Sequence, residues 1–116
     1  MIESWHIREA LRSRFGSALA DIPVKPPVLW IRGDSDGFVS DTSTGDFGFL
    51  GQCGFVPGWP GADVIPPQPM VSQTRYVLDK YAANGGRYTE TVIPGSHGCQ
   101  LESPEAFVAS VRELLG

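Results

Sequence analysis

The chain has 116 residues, 41% of them hydrophobic and 19% charged, with a formal net charge of -4 at neutral pH. That suits one small globular domain and argues against intrinsic disorder, while the lack of any Lys/Arg cluster excludes the phosphate-tracking surface of a nucleic-acid binder. No apolar run reaches the ~20 residues of a membrane span, and Met1 to Phe15 mixes Glu and Arg with scattered apolar residues where a signal peptide would have an apolar core, so a cytoplasmic protein without a membrane partner is expected.

Residues 4 to 20 carry Trp5, Ile7, Leu11, Phe15 and Leu19 at helical spacing between charges, which predicts an amphipathic helix weakened by Gly16 and ending before Pro23. After Pro26-Pro27, the run Val28-Leu29-Trp30-Ile31 is continuously apolar and rich in β-formers. This is the pattern of a strand covered on both faces, and it favours a parallel sheet. From Gly33 to Pro67 the chain is dominated by Gly, Pro, Asp and Ser, with Phe38, Phe47, Phe49, Leu50, Phe55 and Trp59 among them. A loop of that length in a compact domain usually works as a lid or binding loop. Its aromatic residues would either line an acyl or alkyl pocket or cap the sheet.

Helical periodicity resumes at about Pro69, with Met70, Val71, Thr74, Val77, Leu78 and Tyr81 on one stripe, and stops at Asn84-Gly85-Gly86. Residues 87 to 93 alternate as a strand bounded by Pro94-Gly95. Ser103-Pro104-Glu105 then reads as an N-cap, a first-turn Pro and a first-turn acid, opening a final helix over Phe107, Val108, Val111, Leu114 and Leu115. The predicted fold class is α/β: two parallel strands with flanking helices and a long Gly/Pro-rich loop. The expected division is a helix over 1–21, a strand with its loop over 22–68, and helix, strand, histidine loop and helix over 69–116.

A strand, a helix and a second strand form a right-handed crossover, which places both C-terminal corners on one edge of the sheet, where open α/β sheets bind ligands. Those corners carry Asp34 and Asp36 on one side and His97 on the other. A histidine acting as general base needs its tautomer fixed and its imidazolium compensated, and a carboxylate on the second ring nitrogen does both. A lone turn histidine is more often an ordinary surface residue; the paired corners are what lift His97 above that. His6 has only the ordinary role.

Pro27 to Asp41 (PVLWIRGDSDGFVSD) resembles the acid-bearing strand and loop of α/β-hydrolases, whose Gly-x-x-Asp pattern falls on Gly33 to Asp36. Ile93 to Phe107 (IPGSHGCQLESPEAF) is similar to that family's histidine corner and final helix. The resemblance runs from about Ile22 to the end, the Gly/Pro-rich loop being its least general part. It implies the C-terminal portion of an α/β-hydrolase fold, with Asp36 and His97 as the acid and histidine of a catalytic triad and Asp34 as a neighbour.

The departure from that pattern is the nucleophile, which precedes the acid in these enzymes. Gly33-Asp34-Ser35-Asp36-Gly37 spells the elbow motif, but an elbow opens directly into a helix and residues 38–45 are turn-rich. Carboxylates on either side of Ser35 would also oppose a developing oxyanion. The sequence implies no organic cofactor. Asp34, Asp36, Asp41 and Asp46 lack calcium-loop spacing, so no metal is expected. Cys53 and Cys99 fit neither a metal site nor a disulfide framework and are read as free thiols, Cys99 as a small buried one.

Two parallel strands leave open edges, so self-association through them and a truncation at Met1 are both expected. Three functions follow from this. The chain is the C-terminal portion of a hydrolase acting on a small ester-like, epoxide or carbon-carbon substrate once its N-terminal part is supplied, and inactive alone. It is a non-catalytic remnant or binding module. Or it is a small self-contained serine hydrolase using Ser35.

Overall fold

The computed structural model describes residues 14–116. Its elements are α1 (Arg14–Asp21), β1 (Val28–Gly33), α2 (Phe47–Gln52), α3 (Met70–Ala83), β2 (Tyr88–Ile93), α4 (Cys99–Glu102) and α5 (Pro104–Leu115). Most of the helix predicted over 4–20, and His6 with it, lies outside the described residues; its last part is α1.

β1 and β2 pair in parallel, Val28 opposite Tyr88 through Gly33 opposite Ile93. The fold is therefore α/β, with α3 as the connection between the strands. Pleating sends Val28, Trp30 and Arg32 to one face with Tyr88, Glu90 and Val92, and Leu29 and Ile31 to the other with Thr89, Thr91 and Ile93. On the first face α3 docks by charge: Arg75 grips Glu90 through two bonds of 2.9 Å, and Tyr88 donates to Asp79 at 2.5 Å. On the second face Leu29 and Ile31 border a cavity with Phe107, Val111 and Leu114 of α5. The sheet is the middle of three layers.

The core is small. Among the described residues the buried hydrophobic side chains are Ala20, Val77, Leu78, Tyr81, Ile93 and Cys99. Tyr81 is fully buried and its hydroxyl donates to the carbonyl of Pro26, joining α3 to the start of β1. Asn84 reaches back to the Ala20 carbonyl at 3.0 Å, fastening α1 to the end of α3. The radius of gyration, 16.0 Å, exceeds the about 13 Å of a compact domain of roughly 100 residues.

Four local features differ from the sequence expectation. The apolar run of β1 is flanked by helices on both faces yet not sealed by them: Val28 to Ile31 are all only half-buried. A two-stranded sheet offers each strand a neighbour on one side only. The long loop contains a helix, α2, which Asp46 caps by accepting from Gly48 N at 2.9 Å. Its glycines, poor helix formers, are required by close approach: a Cβ on Gly48 would sit 2.2 Å from the Pro66 carbonyl oxygen, and one on Gly51 2.3 Å from the Trp59 ring. Residues 99–102 form the short helix α4, which the sequence did not announce. Ser103 stands at the N-cap position of α5 but makes no cap bond; its hydroxyl donates to the Pro94 carbonyl at 2.6 Å.

Candidate functional site

The two corners meet. Gly33 ends β1 buried against the histidine loop, and a Cβ there would lie 2.3 Å from the carbonyl oxygens of both Gly95 and Ser96. Only glycine lets the loops pack backbone to backbone at that point. Asp34 N donates to Ile93 O and Ser35 N to Gly95 O, each at 2.9 Å, so the chain leaving β1 is stitched to the chain leaving β2.

Asp36 lies one turn further on. One carboxylate oxygen accepts from the N–H groups of Phe38 and Val39, both at 2.9 Å, and the other stands 3.1 Å from His97 Nδ1. The Asp36 side chain is 7% exposed and that of His97 63%. Burial alone would raise the Asp36 carboxyl. The N–H of Val39, the His97 ring and the N–H of Phe38 outweigh it and hold the group below the ordinary aspartate value. Phe38 packs at a tilt on the imidazole, ring centroids 5.5 Å apart. With Nδ1 given to Asp36, Nε2 is unpaired among the described residues. A carboxylate on Nδ1 is the arrangement that fixes a histidine tautomer and leaves Nε2 to take a proton.

The structure thus brings Asp36 and His97 together and leaves Asp34 beside them, its Oδ1 accepting from Gly95 N and from the Ser35 hydroxyl, both at 3.0 Å. Ser35 spends its hydroxyl on that neighbour, and the next helix begins only at Phe47, so the elbow geometry of a nucleophile is missing there. Comparison with protein-family models, curated proteins and solved structures finds no match to this chain.

Cys99 is buried at the start of α4 and Cys53 is exposed, both as free thiols. Among the described residues no group of three or more His, Cys, Asp or Glu side chains is arranged to hold a metal ion, and no helix is long and apolar enough to cross a membrane.

Sequence reasoning missed two site residues. In the sequence Phe38 is one of several loop aromatics, and its place beside His97 depends on the Asp36 turn. Glu102 accepts from Ser96 N at 3.2 Å and from the Ser96 hydroxyl. That contact exists because α4 folds the chain back, and the only available signal was the acid ahead of Ser103-Pro104.

Proposed function

We propose that this chain is the acid- and histidine-bearing portion of an α/β-hydrolase, with Asp36 orienting His97 as general base for hydrolysis of an ester-like, epoxide or carbon-carbon substrate. The observation that carries this is the 3.1 Å contact between Asp36 Oδ2 and His97 Nδ1, made between residues 61 apart in sequence at the C-terminal edge of a parallel sheet. His97 would take a proton through Nε2 while Asp36, already held as a carboxylate by two backbone N–H groups, compensates the imidazolium. The nucleophile comes from a strand, elbow and helix outside this sequence, docked along the open edge of β1. The half-buried apolar residues of β1 support that placement. Without it the same edge favours self-association.

The test is p-nitrophenyl acetate turnover by the chain alone and when co-expressed with the nucleophile-bearing half of an α/β-hydrolase. The chain alone is expected to match His97→Ala. The complemented protein gains turnover that falls about 10²–10⁴-fold in His97→Ala. A compact monomer that is active alone, loses activity with His97 and is labelled at Ser35 by a fluorophosphonate would replace this reading with that of a self-contained serine hydrolase.

A further inference from the structure

Resting on the acid and histidine roles just proposed, a second question is what holds His97 in place, since its ring is largely exposed and its loop is rich in glycine. Each residue leading up to His97 is tied down by a different partner. The Pro94 carbonyl accepts from Ser103 Oγ at 2.6 Å. Gly95, whose φ of +135° strains any other residue, gives its N–H to Asp34 Oδ1 and accepts at its carbonyl from Ser35 N. Ser96 N lies 3.2 Å from both Glu102 carboxylate oxygens, and its hydroxyl donates to the same group. Among the described residues, the His97 ring has Asp36 and the Phe38 ring as partners.

The loop is therefore held between two carboxylates that touch neither ring nitrogen of His97. Asp34 projects from the acid corner and Glu102 from α4, and they grip successive backbone N–H groups, those of Gly95 and Ser96. Bonds from a charged acceptor to an amide are among the stronger hydrogen bonds. A displacement of about 1 Å at a reacting group can cost about a hundredfold in rate. We propose that Asp34 and Glu102 are positioning residues, which set the distance between His97 and Asp36 by fixing the backbone immediately before the histidine. This gives Asp34 a task distinct from that of the acid two residues later.

The experiment is NMR on the full chain and on Asp34→Ala, Asp34→Asn, Glu102→Ala and Glu102→Gln, following the nuclear Overhauser contact between the Phe38 and His97 rings and the titration of the Asp36 carboxyl carbon. The amide variants keep an acceptor for the loop N–H; the alanine variants do not. Both alanine variants are expected to lose the ring contact and to move the Asp36 midpoint upward, because the histidine bond that helps hold it down is gone. Both amide variants are expected to keep the ring contact. The sign is informative: burial raises Asp36, while the N–H of Val39, the His97 ring and the N–H of Phe38 lower it. Both greater exposure and the deletion of a nearby negative charge would move it downward, so an upward shift reports loss of the histidine bond.

Retention of the ring contact and an unmoved or lowered Asp36 midpoint in the alanine variants would overturn the positioning role while leaving the Asp36–His97 pair intact. Failure of the unmodified chain to show the ring contact would overturn the pair itself, and with it the proposed function. Amide dispersion of each variant separates local loosening from unfolding; loss of dispersion in the amide variants as well would overturn the proposal in favour of a purely structural role.

Discussion

The ends of the two strands and the strands themselves are held by different means. At the C-terminal ends, the loops after β1 and β2 are joined by main-chain bonds from Asp34 and Ser35 and by the Asp34 and Asp36 carboxylates, while Glu102 braces the second loop from α4. Along the strands, Val28 to Ile31 are half-buried and Val92 is 47% exposed. The corner is specified by short-range polar chemistry, which the loops carry with them. The sheet relies on apolar area, which two strands cannot bury. A site can therefore be assembled in detail on a scaffold that still has an open side.

The sharpest way to break this contrast is in the core that supports both parts. Tyr81→Ala removes the fully buried ring and its bond to Pro26, and is expected to cost about 3–5 kcal/mol in urea unfolding. A loss under about 1 kcal/mol would mean that the helices do not depend on this contact. Next comes the seam between the corners. Gly33→Ala must push the Gly95 and Ser96 carbonyls away; a cost of about 1–3 kcal/mol is expected, together with loss of the Phe38–His97 ring contact in NMR.

On the open strands the main polar device is Glu90, bonded by Arg75 and by Arg32 at 2.8 Å. The Arg75 bonds outweigh burial and, with Arg32, lower its carboxyl to about 2 from 4.5. A depressed carboxylate stabilises the fold above its unfolded value, and that contribution disappears as pH falls from about 4.5 to about 2. Because Arg75 is 41% exposed, solvent screening limits the effect to ~1–2 kcal/mol. Denaturation at a series of pH values should show this loss in the unmodified chain and a flatter profile in Glu90→Gln.

The smallest effect concerns a cap that reaches between regions. Pro69 at the start of α3 has no polar side chain to offer, and Asp41 accepts from Ser72 N at 2.8 Å and from its hydroxyl in its place. Asp41→Ala should cost about 1 kcal/mol, readable in thermal unfolding. An unchanged midpoint would show that water serves the helix end equally well.

The parts of the fold visible in the sequence were those written by local pattern. The stripe from Met70 to Tyr81 with its Asn84-Gly85 stop, the apolar run of β1 and the alternation of β2 each declare their own geometry. His97 and the pair Asp34/Asp36 stand out because each lies in a Gly-rich corner after a strand; corner position alone does not choose between the two acids. What stayed hidden was set by partners distant in sequence. Asp41 capping α3, Asp34 holding Gly95 and Glu102 holding Ser96 cannot be found by spacing, because the loops that deliver them have no period. Helix α2 was obscured for a related reason: Gly48 and Gly51 argue against a helix until Pro66 and Trp59 are seen pressing on them. Ser103 shows the reverse case, a residue at the expected cap position whose hydroxyl is recruited by Pro94.

The bonds of Asp46 bear on how the molecule tolerates change. One of its oxygens holds Gly48 N and the other holds Gln68 N at 2.6 Å, so both feet of the intervening segment stand on one side chain. A protease cutting near Gly58, midway along that segment, would leave the two stumps fastened beside each other. Segments of other lengths could be spliced between the same feet without altering the path from Gly33 to Asp41 on which the candidate site is built.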